Sequence, residues 1–220
     1  MTMDPTLYVI LDSAAAAGRD LVEILDAVIA GGARMVQLRE KTWPSGQLLP
    51  LAERLRARCR QAGVTFVMND RVDLAVALEA DGVHLGQDDL PPRLARPLLR
   101  PGMILGVSTH SVEQARRAQA DGADYIAVGA MFPTQTKPDF ELVGPALVRA
   151  VRPEIRVPLV GIGGITPQNV GKVIRAGADG VAVISAVCAA PDPAAVTHEV
   201  LRAIADARAA RTTSVSKSRQ

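Results

Sequence analysis

The chain has few aromatic residues and few cysteines. Three Phe, two Tyr and one Trp occur among 220 residues, while 48% are hydrophobic. A low aromatic content with an adequate apolar content is typical of α/β proteins. The two cysteines, Cys59 and Cys188, lie far apart among apolar neighbours. Their spacing does not indicate a metal site, so we expect two small buried hydrophobic side chains in a reducing compartment.

Dense charge and long apolar runs are also missing. The net charge is +2, without a basic block that would indicate a nucleic-acid surface. No apolar run approaches the roughly 20 residues of a membrane span. The first five residues lack the positive end of a signal peptide. We therefore expect a soluble, cytoplasmic protein without nucleic-acid or membrane partners, which could form a homo-oligomer.

One short sequence pattern recurs along the chain. A helical pattern ends at each of four glycines and a short apolar run follows; the glycines are Gly32, Gly82, Gly122 and Gly177. Glycine at a helix C-terminus supplies a left-handed cap, and the apolar run predicts the next strand. Each interval between these glycines has room for two βα units, so a chain of this length holds about eight.

The apolar runs agree with that count. Amphipathic stretches such as 47–62 separate them and predict helices. Strict alternation predicts a parallel sheet, and eight units close it into a single-domain (β/α)8 TIM barrel over residues 1–208. An open doubly wound sheet is the alternative. Residues 209–220 are polar without an apolar period, which predicts a disordered tail. The predicted strands are 7–11, 35–39, 65–69, 83–86, 104–108, 125–129, 159–163 and 181–185.

The second predicted strand carries unexpected charge. Alternate side chains of a strand share a face, so Gln37, Arg39 and Lys41 point one way, and Leu38 and Glu40 the other. Two cations aimed into an interior need an anion, most plausibly a phosphate or diphosphate. A charged strand end exposed to solvent is the alternative.

Two acids follow neighbouring strands. Asp70 and Asp88 come after the third and fourth strands, beside the cations of the second. Carboxylates in that setting suit Mg²⁺, which also binds substrate phosphate. Alternatively, each acid is a helix N-cap.

A glycine run after the seventh strand indicates a second anion site. Residues 161–164 precede a helix, and glycines let backbone N–H groups approach a phosphate. Thr134, Thr136 and Ser185 supply hydroxyls nearby. Among the histidines, we expect His84 in the core and His198 on the surface, while His110 suits a cap or a site equally. Two anion sites, one with a metal, indicate an enzyme that joins two phosphorylated compounds.

The motifs in this order resemble thiamine-phosphate synthases from about residue 7 to residue 207. The resemblance implies a barrel that condenses hydroxymethylpyrimidine diphosphate with a thiazole phosphate, or its carboxylated form, to give thiamine phosphate and pyrophosphate. The motifs are Gln37-Leu38-Arg39-Glu40-Lys41, Asn69-Asp70, Gly86-Gln87-Asp88-Asp89, Gly106-Val107-Ser108-Thr109-His110, Pro133-Thr134-Gln135-Thr136-Lys137 and Gly161-Ile162-Gly163-Gly164.

The resemblance also implies residue roles. Mg²⁺ would be held by Asp70 and Asp88, and the catalytic residues would be Arg39, Lys41, Ser108 and Lys137. The pyrimidine diphosphate would be held by Gln37, Leu38, Arg39, Glu40, Lys41, Asn69, Ser108 and Lys137. The thiazole phosphate would be held by Thr134, Gln135, Thr136, Gly164, Ile184 and Ser185.

Two alternatives remain at this point. A thiazole tautomerase of the same superfamily shares the barrel but typically lacks the Mg²⁺ acids. A phosphate-ligand sensor on the same barrel would bind without turnover.

Overall fold

The computed structural model describes residues 3–134 and 142–217, and these form a closed barrel of eight parallel strands. Each strand pairs with the next one along the chain, and β8 pairs with β1. This closure confirms the (β/α)8 barrel and excludes the open sheet. The strands are β1 Leu7–Asp12, β2 Met35–Arg39, β3 Thr65–Asn69, β4 Gly82–Leu85, β5 Ile104–Thr109, β6 Tyr125–Val128, β7 Leu159–Ile162 and β8 Gly180–Val183.

Helices follow the strands around the outside of the barrel. They are α1 Ser13–Ala16, α2 Leu21–Ala30, α3 Ser45–Ala62, α4 Val72–Ala77, α5 Pro92–Ala95, α6 Val112–Ala120, α7 Gly144–Val151, α8 Val170–Arg175, α9 Ser185–Cys188 and α10 Pro193–Lys217, with 3₁₀ turns at Arg96–Leu98 and Arg152–Glu154. No helix within 3–134 or 142–217 is long and apolar enough to cross a membrane.

Three of the four recurring glycines act as expected. Gly32, Gly122 and Gly177 follow helices with φ of 102°, 94° and 114°. Gly82 is different because it is the first residue of β4. A Cβ at Gly82 would lie 2.5 Å from the carbonyl oxygen of Ile104. Glycine there permits close approach of β4 to β5, and the expected left-handed cap is wrong at this position.

The strands place two apolar layers on opposite faces. One layer packs between strands and helices and includes Val36 and Leu38. The other fills the barrel interior with Tyr8, Ile10, Met35, Val67, Tyr125, Ala127, Val160 and Ala182. Met35, Gln37 and Arg39 therefore alternate with Val36 and Leu38 along β2, as a strand period of two requires. This alternation directs the charged end of β2 into the mouth of the barrel.

The last helix continues beyond residue 208. The backbone of 209–217 is helical, whereas the sequence predicts a disordered tail there. The guanidinium of Arg208 donates to the backbone oxygen of Asp179, and Arg211 donates to that of Ile174 at 3.2 Å. Contacts of these arginines hold this part of the helix to the barrel. The sequence predicts a disordered tail because it lacks an apolar period, and arginine contacts leave no such period. A domain boundary at residue 208 stays a prediction.

Candidate active site

A cavity of about 260 Å³ opens at the carboxyl ends of the strands. Parallel barrels place their loop-borne functional groups at this end. Predicted site residues from six of the eight strand ends line the cavity. These are Gln37, Arg39, Lys41, Asn69, Asp88, Ser108, Thr134 and Ile184.

A second recess of about 350 Å³ adjoins the first. Thr134, Gly163 and Ile184 line both spaces, and Gly164 and Ser185 line only the second. The two recesses therefore share a wall formed by the loops after β6, β7 and β8. Two ligands bound there would meet at these shared residues.

The loop after β7 has a backbone that favours glycine. Gly163 and Gly164 have φ of 99° and 62°, in the left-handed region. Asn169 holds this loop, because its side-chain amide donates to the Gly164 carbonyl at 2.8 Å and its side-chain oxygen accepts from the Thr166 N–H at 2.9 Å. These hydrogen bonds within the protein therefore fix the position of the glycine pair.

Both cations of the β2 segment are paired with acids. Arg39 forms an ion pair with Asp12, which is 2% exposed and lies opposite it in the β1–β2 register. Lys41 forms an ion pair with Asp70 at the end of β3. The sequence did not identify Asp12 as a site residue. An acid at the end of β1, in register with Arg39, is the signal that could have found it.

Asp70 faces a second carboxyl group, that of Asp89. The two side chains share a hydrogen bond, and burial together with Asp89 raises the pKa of Asp70, although Lys41 opposes this effect. Asp88 is exposed at the edge of the cavity. Asp89 thus supplies a carboxyl group beside Asp70, and the metal-binding role predicted for Asp88 stays a prediction. Its side chain also accepts from the Gly86 N–H at 2.7 Å.

Neither acid proposed from the sequence is a helix cap. The N-cap position of α4 is Arg71, and that of α5 is Pro91, both without a capping side-chain hydrogen bond. Asp70 itself has φ of 60°, which is uncommon for a residue other than glycine. The backbone conformation of Asp70 thus directs its side chain toward Lys41 and Asp89.

Two residues expected to bind the pyrimidine diphosphate do not line the cavity. Leu38 is buried between the barrel and the helices. Glu40 accepts hydrogen bonds from the Ser13 hydroxyl, the Thr42 N–H and hydroxyl, and the Trp43 N–H. Burial acts against these hydrogen bonds, but together they lower the pKa of Glu40. Glu40 shapes the loop that carries Lys41.

Asn69 presents a free donor. Its side chain is 8% exposed, and its Nδ2 has no hydrogen-bond partner in the described part of the chain. A buried unsatisfied amide costs free energy of roughly 1–3 kcal/mol. Because Asn69 lines the cavity, an acceptor on a ligand would satisfy this donor.

Two histidines contact the site from within the barrel wall. His84 is 5% exposed and bonds Tyr125 and Ser108 through its two ring nitrogens, as expected of a hydrogen-bonded core histidine. His110 lines the cavity, and its Nδ1 lies 2.6 Å from the Gly129 carbonyl. His198 is exposed on α10, as predicted. Gln135, Thr136 and Lys137 lie outside the described residues.

The charges in the described mouth do not favour an anion by themselves. Arg39 and Lys41 already balance Asp12 and Asp70, and Asp89 adds further negative charge. Within 3–134 and 142–217, no group of three potential metal ligands occurs. Mg²⁺ commonly uses one or two carboxylates together with substrate phosphates and water, so a two-carboxylate site fits this ion.

Comparisons with known proteins agree with this geometry. Residues 7–187 match the family model for thiamine monophosphate synthase. A thiamine-phosphate synthase from Moorella thermoacetica is 47% identical, over 92% of this chain and 97% of the relative. One from Roseiflexus castenholzii is 48% identical, over 93% and 89%. The solved thiamine phosphate pyrophosphorylase from Pyrococcus furiosus is 36% identical with a TM-score of 0.86, over 93% of this chain and 97% of that one. The chain therefore belongs to the thiamine-phosphate synthase family, transferases of thiamine biosynthesis.

Proposed function

We propose that this chain condenses hydroxymethylpyrimidine diphosphate with a thiazole phosphate at the two joined recesses. The observation that supports this most is their shared wall at Thr134, Gly163 and Ile184. The first recess has the cations, Asp89 with its hydrogen bond to Asp70, and the free amide of Asn69, which suits a diphosphate with a metal. The second has the glycine loop and the Ser185 hydroxyl, which suits a single phosphate.

In this proposal, the Arg39 guanidinium and the Lys41 ammonium bind the diphosphate, and Asn69 Nδ2 donates to it. Ser108 donates from the opposite wall, and Lys137 is proposed to contact the same group. Asp70 and Asp89 would hold Mg²⁺, which supplies positive charge to the leaving diphosphate. Asp88, the acid first predicted for this role, is proposed to stay at the rim.

The electrostatics explain why a metal suits this site. Lys41 is paired with Asp70. Neutralising the acid pair would free the Lys41 ammonium for a phosphate oxygen. Charge that develops on the departing pyrophosphate is then stabilised by groups already in position.

We infer that the carbon–oxygen bond to the diphosphate breaks ahead of carbon–nitrogen bond formation. The bonding electrons leave with the pyrophosphate, and the pyrimidine methylene becomes cationic. The thiazole nitrogen then donates its lone pair to that carbon. A base is not required for this step, and the positioned cations all serve the leaving group. Water would intercept that cation, so this step requires a site closed to solvent.

The test is release of pyrophosphate from the purified chain incubated with both substrates and Mg²⁺. We expect release only when both substrates are present, with one thiamine phosphate formed for each pyrophosphate. A tautomerase or a sensor would release none. Release from the diphosphate alone, without product, would indicate hydrolysis and contradict the proposal.

A further inference from the structure

Five polar side chains form one continuous hydrogen-bonded chain across the barrel interior. Gln37 Nε2 donates to the Tyr8 hydroxyl at 2.5 Å, and the Tyr125 hydroxyl donates to the same Tyr8 oxygen at 2.9 Å. The Tyr125 hydroxyl is 2.8 Å from His84 Nδ1, and His84 Nε2 is 2.8 Å from Ser108 Oγ. Both ends, Gln37 and Ser108, line the first recess.

This hydrogen-bonded chain lies in a barrel interior that is otherwise filled by apolar side chains. Tyr8 and Tyr125 are 1% and 0% exposed, and they meet edge to face with ring centroids 5.8 Å apart. Gly106 makes the space, since a Cβ there would lie 2.0 Å from Tyr125 Cζ. Burial raises the pKa of both phenols, so each hydroxyl keeps its proton and can donate. Phenylalanine would fill the same volume, so the hydroxyls need another explanation.

The Tyr8 oxygen joins the two halves of this hydrogen-bonded chain, because it accepts from both Gln37 and Tyr125. The Tyr125 hydroxyl is therefore the link between the Gln37–Tyr8 pair and the His84–Ser108 pair. Removing that hydroxyl would separate the two pairs.

We propose that Tyr8, Tyr125 and His84 are positioning residues that hold the Gln37 amide and the Ser108 hydroxyl at two walls of the first recess. This inference rests on the proposed function, whose pyrimidine diphosphate occupies that recess. Without the intervening hydroxyls, Gln37 and Ser108 would keep their places in the strands but lose the hydrogen bonds that fix their side chains.

Breaking the middle link tests the functional consequence. In Tyr125→Phe, we expect kcat to fall by about tenfold or more, a barrier increase of about 1.4 kcal/mol, while the KM for the thiazole phosphate stays within about twofold. Thr109→Val is the matched control, because Thr109 is a fully buried β5 residue. Its hydroxyl donates to the Ala127 carbonyl, which is not part of the hydrogen-bonded chain. Equal kcat in the two variants would overturn the proposal.

The wild-type protein separates the two possible failures. If the wild type releases no pyrophosphate from the two substrates, the proposed function fails, and this inference fails with it. If the wild type is active and Tyr125→Phe keeps its kcat, the inference alone fails.

A second variant breaks the hydrogen-bonded chain at another hydroxyl. Tyr8→Phe removes the acceptor of both Gln37 and Tyr125, so we expect a loss of kcat similar to that of Tyr125→Phe. A wild-type kcat in Tyr8→Phe would overturn the proposal.

Discussion

Lys41 and Asp70 form an ion pair across the barrel mouth, between the loop after β2 and the end of β3. Lys41 is 43% exposed and Asp70 is 18% exposed at the side chain. Such a half-exposed pair contributes little to stability, about 1 kcal/mol or less. Its position indicates a functional reason, because Asp70 also contacts Asp89.

The first prediction concerns this acid pair. We expect Asp70→Asn and Asp89→Asn each to lower kcat by about 100-fold, since each removes a proposed metal ligand that supports leaving-group stabilisation. Asp88→Asn is the matched control one residue away, and its kcat should stay within about threefold of wild type. The measurement is initial rate against Mg²⁺ concentration. A large loss in Asp88→Asn with normal turnover in Asp89→Asn would return the role to Asp88.

The second prediction concerns Asp12. Its carboxylate binds Arg39 and accepts from the Ala15 N–H at 2.9 Å, which caps α1. We expect Asp12→Asn to lower the free energy of unfolding by about 3 kcal/mol, because it leaves the guanidinium poorly paired in a nearly buried position. Urea unfolding measures this loss. The double variant Asp12→Asn with Arg39→Met should be more stable than Asp12→Asn alone, and an equally unstable double variant would contradict the explanation.

The third prediction uses the pKa of Glu40. Its lowered pKa means that the folded state favours the carboxylate. The stability that Glu40 contributes is therefore present above the ordinary Glu pKa of 4.5, and it is lost as the pH falls through the folded pKa. Trp43 is the one tryptophan of the chain, and its backbone N–H donates to the Glu40 carboxylate at 3.3 Å. We expect Trp43 fluorescence to change below pH 4.5 as this loop is released.

Glu40→Gln is the control for that measurement. The amide cannot ionise, so its Trp43 emission should lack the transition at acidic pH until global unfolding begins. An identical transition in both proteins would assign it to another group.

The fourth prediction concerns the second recess. Ser185→Ala should raise the KM for the thiazole phosphate by about tenfold while the KM for the diphosphate changes less than about twofold, because only one substrate is proposed to contact Ser185. Gly164→Ala should have a larger effect, since a Cβ there would lie 2.5 Å from the Pro133 carbonyl oxygen. Steady-state kinetics with each substrate varied in turn measures both. Equal changes for both substrates in Ser185→Ala would show that the recesses are wrongly assigned.

The fifth prediction concerns the order of bond changes. A trifluoromethyl group on the pyrimidine destabilises a methylene cation, so we expect single-turnover chemistry to slow by several hundred-fold or more. A concerted displacement with little cationic character would respond weakly. A rate within about tenfold of the natural substrate, or about 1.4 kcal/mol in barrier, would contradict the dissociative order.

The alternation of polar and apolar residues predicts side-chain direction well in the strands and poorly in the turns. The alternation along β2 correctly directs Gln37 and Arg39 inward, because a strand has a period of two. Asp88 and Asp89 lie beyond the end of β4, in a turn where that period no longer applies. Adjacent acids in a turn point in directions set by local backbone geometry, so the sequence could not separate them.

The interior hydrogen-bonded chain also lies beyond what periodicity predicts. Tyr8, His84 and Tyr125 each occupy an inward position of a different strand. Their contacts depend on strand stagger and on the space at Gly106, neither of which a single sequence reveals. The sequence identified His84 as a core residue but did not connect it with the tyrosines.

Gly106 and Tyr125 occupy one shared volume, which has a consequence for the evolution and redesign of this barrel. A side chain larger than hydrogen at position 106 would collide with the Tyr125 ring, so position 106 can change only if position 125 changes with it. Relatives with alanine or a larger residue at 106 should carry a smaller residue at 125. A library that randomises position 106 alone would mostly sample misfolded barrels, whereas one that varies both positions together would admit new interiors.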